Sequence, residues 1–240
     1  ILNTEETEKL DELYRLGGTS GGARPKVMME MDGEPWIIKF PAHVDRADIG
    51  KMEYDYYLCA EQCGIMMSEC NLFPSGKCSG YFGTKRFDRK NQHGEMERVH
   101  MLTVAALLEL DFEQPVLDYQ DLMKLTKIIT NNSPEDLENM YRRMCFNVYA
   151  HNRDDHAKNF SFLYEEEKKC WRLSPAYDLT YSTTYYGEHT TAVAGNGKNP
   201  GSKELIFVGT QAGLSKEKCR SIAVEIKNCV SDMLSEYLNP

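Results

Sequence analysis

The stretch AHNRDDHAKNFSFL, residues 150–163, constrains this chain more than any other. Within ten positions it sets His151, Asn152, Arg153, Asp154, Asp155, His156, Lys158 and Asn159, then turns abruptly apolar. Ordinary loops are polar as well. The segment is therefore either a solvated turn or a row of groups held for chemistry, and the rest of the chain has to decide between them.

Composition limits the setting. A chain of 240 residues with 41% hydrophobic content can bury a real core, as one large domain or as two lobes. The longest apolar runs, such as TVAALLEL at 103–110, are too short to span a bilayer, and no basic segment followed by an apolar one stands at the start. The expectation is a cytoplasmic protein without membrane contact. A net charge of -9 argues against direct, non-specific nucleic-acid binding, because phosphate backbones are held by clustered cations. Eight cysteines are scattered without paired C-x-x-C motifs. Cys59 and Cys63, with Cys70 and Cys78 further on, suggest a metal cluster, but buried reduced thiols are the stronger expectation.

Periodicity gives a coarse map. Residues 4–16 read as a helix ending at Gly17-Gly18. VMMEM and PWIIKF flank Asp32-Gly33, the dipeptide of a tight hairpin, so two antiparallel strands are expected. Residues 48–63 form a helix with Met52, Tyr56, Cys59 and Cys63 on one side, and YFGTKRFD at 81–88 follows as a strand. Beyond residue 91 the texture is helical: HMLTVAALLEL, DYQDLMKLTKII, residues 134–151 and a terminal helix over about 215–237. FSFLY and WRLSP read as two short strands around a charged turn. Residues 183–203 lack periodicity and read as a long loop.

Taken singly, the candidate functional groups are weak. The glycines of GGTSGGARPK, residues 17–26, let backbone amides approach an anion, but such clusters also make plain turns. Lys39 follows Gly22 by 17 residues, lies between Ile38 and Phe40, and needs an anionic partner; Glu53 on the next helix is one. Asp154 and Asn159 are five positions apart, the spacing by which a kinase catalytic loop sets a base aspartate and a metal-binding asparagine. Asp178 follows Asn159 by 19 residues in SPAYDLT. A phosphate loop, a lysine, oxygen ligands for Mg²⁺ and a carboxylate for the acceptor hydroxyl all appear, in the chain order of a protein kinase. Two loop aspartates that cap a turn explain Asp154 or Asp155 separately, not the ordered set. Only spacing favours Asp154 over Asp155 as base.

GGTSGGARPK, WIIKFP, KRFDRK, NRDDHAKNF and PAYDLT together resemble the successive motifs of the HipA-like serine/threonine kinases, toxins of bacterial toxin-antitoxin modules. The resemblance runs from about residue 17 to about 180, and its most specific part is the signature around HAKNF. It implies an α+β, two-lobed protein-kinase-like fold, with a small β-rich lobe over 1–91 and a larger, mainly helical lobe over 92–240. It implies ATP and Mg²⁺ as cofactors. Gly21, Gly22 and Ala23 would belong to the phosphate loop, with Lys39 the ATP lysine and Glu53 its partner. The hinge from Lys85 to Phe87, with Asp88, would receive adenine. Asp154 would be the base and Asn159 and Asp178 the Mg²⁺ ligands, with His156 and Lys158 supporting the catalytic loop.

The resemblance also implies a protein substrate, an aminoacyl-tRNA synthetase in known members, and hence inhibition of translation. It implies a DNA-binding antitoxin as partner. Longer members carry a subdomain ahead of the glycine loop where only a short helix stands here, so the expectation is either a truncated chain or a short form completed by a small accessory polypeptide. Thr19 and Ser20 stand where longer members often carry a serine, which makes them the expected autophosphorylation sites. The rival readings are a nucleotide-binding pseudokinase, which would have lost one of the catalytic groups, and a small-molecule kinase.

Overall fold

The hairpin expected at Asp32-Gly33 sets the first sheet. In the computed structural model, which describes residues 4–15, 24–92, 94–110, 117–184 and 186–238, both turn residues have positive φ, 53° and 76°. That is the two-residue turn whose twist matches paired strands. It joins β1 (Lys26–Met31) to β2 (Glu34–Lys39) in register from Met31–Glu34 to Lys26–Lys39. A helix, α1 (Thr4–Arg15), precedes them and places Leu10 against Trp36, Ile38, Phe40, Phe73 and Tyr81 in a small aromatic core.

Next in the chain come α2 (Ile49–Gln62), β3 (Cys70–Phe73) and β4 (Tyr81–Lys85). The sheet order is β1-β2-β4-β3, antiparallel throughout. The start of α2 lies hard against it: a Cβ built on Gly50 would stand 2.3 Å from the Gly80 carbonyl oxygen, so only glycine allows the approach. The expected apolar side of α2, with Met52, Tyr56, Cys59 and Cys63, faces the other way, into the large helical core. Tyr56 Oη donates to the Ala150 carbonyl at 2.7 Å, which ties α2 to the start of the polar segment at 150–160.

A short hairpin, β5 (Arg89–Gln92) and β6 (Glu95–Arg98), then leads into the second part of the fold. The helix expected over 100–110 is corrected here. Met101–Thr103 is a strand, β7, and only Val104–Leu107 is helical, α3, with Thr103 Oγ1 capping it by accepting from Ala106 N. The reason is pairing: β7 hydrogen-bonds to β9 (Ser161–Glu165), and that ladder outweighs the helical propensity of its residues.

β8 (Leu117–Asp118) opens onto α4 (Tyr119–Ile129), and α5 (Pro134–Tyr149) begins at a Ser133 cap with proline in its first turn. After the loop at 150–160 come β9 and β10 (Cys170–Leu173), joined antiparallel, and then β11 (Thr191–Ala192), which runs parallel to β8. The terminal helices are α6 (Ser202–Ala212), α7 (Lys216–Met233) and α8 (Ser235–Leu238). β3, the β5–β6 hairpin, β8, β11 and α6 were not expected from sequence. The residues of α2, α4, α5, α6 and α7 share one core around Tyr119, Met144, Phe146 and Ile226. No described helix is long and apolar enough to cross a membrane.

Candidate active site

Lys39 ends β2, opposite Phe82 of β4, with its ammonium 5.5 Å from the Phe82 ring centre. Its side chain is largely buried and forms ion pairs with Glu53 on α2 and with Asp178, which follows β10. Three segments remote in sequence thus meet at one cation. Burial opposes the charge on Lys39, but the carboxylates of Asp178 and Glu53 outweigh it and hold the ammonium pKa above its ordinary value. In turn Lys39 holds the Asp178 carboxyl below the usual range, against the effect of burial. Asp178 has φ 54°, a left-handed conformation uncommon outside glycine, and it holds this geometry while paired with Lys39.

The segment from His151 to Asn159 separates its two aspartates sharply. The Asp155 side chain is 0% exposed and accepts from Tyr119 Oη (2.9 Å), His189 Nδ1 (3.0 Å) and Thr191 N (3.0 Å). Tyr119 Oη also accepts from Asn147 Nδ2 at 2.8 Å, and Asn147 Oδ1 accepts from Asn152 Nδ2 at 2.9 Å. This network locks the loop to α4, α5 and the strand at 191–192. Asp154 points the opposite way, with a side chain 60% exposed and His156 Nε2 3.8 Å from its Oδ1. Partial burial and the neighbouring Asp178 and Asp155 charges raise its pKa, against the pull of His156.

Asn159 closes a single 3₁₀ turn at Ala157–Asn159, where its Nδ2 donates to the Asp154 carbonyl at 2.9 Å. That bond uses the amide nitrogen and orients the side chain, so the donor left to a ligand is an oxygen. The oxygen of Asn159 and the carboxylate of Asp178 are the hard donors that Mg²⁺ takes, and the residues fit that ion. Tyr177 packs its ring 5.6 Å from Phe87. Its hydroxyl donates to the Lys158 carbonyl at 2.7 Å and so accepts from Ser161 Oγ at 2.5 Å, which fastens the end of the loop to the residue before Asp178.

Other expected residues sit differently. Lys85 N donates to the Glu69 carbonyl and Lys85 O accepts from Ser68 Oγ, while its ammonium pairs with Glu34 at 3.2 Å. Both backbone groups of Lys85 therefore already have protein partners. Asp88 bonds to Arg86 and Arg89, each at 2.7 Å, and acts as a clasp between them. His156 lies beside Asp154, with Nδ1 buried and without a hydrogen bond. Lys158 is exposed. Thr19, Ser20, Gly21, Gly22 and Ala23 lie outside the described residues. Cys59 and Cys63 do approach a third thiol, but it is Cys229 of α7; Cys70 and Cys78 lie on and beside the first sheet.

Sequence reasoning missed the group that holds Asp155: Tyr119, Asn147, Asn152, His189 and Thr191. They come from four segments with no shared spacing, and His189 falls in the stretch that had no periodicity. Asn152, within the loop itself, is the one a denser reading of its amides would have raised.

Comparison with known proteins shows the family and the fold. The family profile described as HipA-like C-terminal domain matches residues 18–233, well past the limit near 180 at which the motifs fade. Y4dM of Sinorhizobium fredii, described as a candidate kinase, is 27% identical over 178 residues, covering 68% of this chain and 42% of that protein. Among solved structures, the Shewanella oneidensis HipA chain, determined with HipB and operator DNA, superposes with a TM-score of 0.73 at 18% identity, over 92% of this chain and 58% of that one. The Helicobacter pylori proinflammatory kinase CtkA gives 0.58 at 12% identity, over 88% and 91%. The chain spans under half the length of Y4dM and over half of the HipA chain. The likenesses to solved structures show the fold, a two-lobed, protein-kinase-like α+β architecture.

Proposed function

We propose, from the premise that this chain belongs to the HipA-like C-terminal domain family, that it is an ATP-dependent serine/threonine protein kinase. The observation that carries the reading is the convergence of Lys39, Glu53 and Asp178 beside an exposed Asp154. Lys39 would bind phosphate oxygens, with Glu53 keeping its ammonium charged and aimed into the cleft. Asn159 and Asp178 would hold Mg²⁺, which when bound supplies neutralisation of phosphate charge. Asp154 would orient the acceptor hydroxyl and take its proton at a carboxylate oxygen. Its raised pKa favours that proton transfer over what an ordinary surface aspartate offers. Asp155, fixed by three hydrogen bonds, would set the position of Asp154 without touching substrate. The engaged backbone of Lys85 shifts the adenine contacts of this reading toward Phe87, whose ring lies against Tyr177.

On this reading residues 1–91 form the small lobe and 92–240 the large one, and the protein acts as a toxin whose target is a component of translation such as an aminoacyl-tRNA synthetase. A DNA-binding antitoxin, the kind of partner present with the Shewanella HipA chain, belongs to the same proposal. The test is incubation with ATP labelled in the γ-phosphoryl, Mg²⁺ and a bacterial lysate. Label on a serine or threonine of a defined protein supports the reading. Label confined to small molecules replaces it with a small-molecule kinase.

A further inference from the structure

Cys59 and Cys63 stand one turn apart near the end of α2, and Cys229 stands on α7; the three Sγ atoms lie within 4.8 Å of one another. Cys59 and Cys63 are fully buried and Cys229 is half-buried. Cys59 Sγ and Cys229 Sγ are 3.9 Å apart, and Met233 Sδ, one turn beyond Cys229, is 3.7 Å from Cys229 Sγ. We infer that these sulfurs form a site for one thiophilic d¹⁰ ion, Zn²⁺ or Cu⁺, that ties α2 to α7.

Geometry and donor chemistry both favour an ion. Four sulfurs about 2.3 Å from a central ion at tetrahedral corners stand about 3.8 Å from each other, close to the Cys59–Cys229 and Cys229–Met233 separations. A disulfide would need the sulfurs at about 2.05 Å. Thiolate and thioether donors select soft ions and reject Mg²⁺, so this site is separate in chemistry from the oxygen donors of Asn159 and Asp178. Ion uptake displaces the thiol protons to solvent. The site would pin the same helix that carries Glu53.

The test uses the full chain, reduced, freed of metal and kept anaerobic, titrated with Zn²⁺ in one arm and Cu⁺ in the other. One tightly held ion per chain in either arm is expected, with a thiolate-to-metal charge-transfer band, a raised melting temperature and an X-ray absorption spectrum showing a sulfur shell at about 2.3 Å. Cys229→Ser, at a half-buried position, should lose at least tenfold in affinity, whereas Cys70→Ser in β3 should lose none. Met233→Leu should weaken Cu⁺ more than Zn²⁺. No stoichiometric uptake in either arm, a shell of oxygen or nitrogen ligands, or affinity unchanged in Cys229→Ser would overturn the inference. The spectroscopy on unmodified protein decides the matter even if a variant does not fold.

Discussion

Two adjacent aspartates, identical in chemistry, are given opposite surroundings. Asp155 is sealed among Tyr119, His189 and Thr191; Asp154 stands open beside His156. Asp155→Ala should therefore cost about 3–5 kcal/mol in a urea unfolding measurement, since it leaves buried donors unpaired. A loss under 1 kcal/mol would mean the network does not hold the loop. The Asp154 pKa is raised, so the proposed base would be protonated and lost as pH falls through a value above the ordinary 3.8. Phosphoryl transfer plotted against pH should show its acid limb there. His156 lowers that pKa, so His156→Gln should move the limb to higher pH; an unmoved limb would assign it to another group. The five-residue spacing made Asp154 and Asn159 legible from sequence, as chain order did for Lys39, Glu53 and Asp178. What Asp155 does was not legible, because its partners lie 34 to 36 positions away and no spacing links them to it.

At the level of elements, α2 joins the two cores: its first turn meets the sheet at Gly80, and its buried side enters the helical core through Tyr56. Gly50→Ala puts a methyl group into the Gly80 carbonyl and should cost about 1–3 kcal/mol. Because Glu53 lies one turn further on, nucleotide affinity should fall with the melting temperature. Wild-type values of both would show that α2 shifts without consequence. The long helices announced themselves because their apolar stripes repeat at 3.6 residues and their caps are local, as with Ser133 before α5 and Pro134 at its first position. α6 was hidden: its cap is Gly201, held by the Glu204 carboxylate, inside a run of glycine, asparagine and proline that reads as loop. The apolar run at 101–107 reads as helix because nothing nearby in sequence discloses its pairing with β9.

Across the whole molecule, the small aromatic core and the large helical core are separate clusters, and Lys39 and Asp178 reach each other across the space between them. A cation from the sheet pairs with a carboxylate from the helical part, which also carries the exposed Asp154, and this suits the proposed positioning of phosphoryl transfer. On the proposed reading Asp154 serves the transition state more than the binding of ATP. The most direct measurement compares unmodified protein with Asp154→Asn for γ-phosphoryl transfer and for Mg-ATP affinity on the same preparations. Affinity should stay within about twofold while transfer falls by about 10²–10⁴-fold. Transfer by Asp154→Asn at the unmodified rate would contradict the proposed reading.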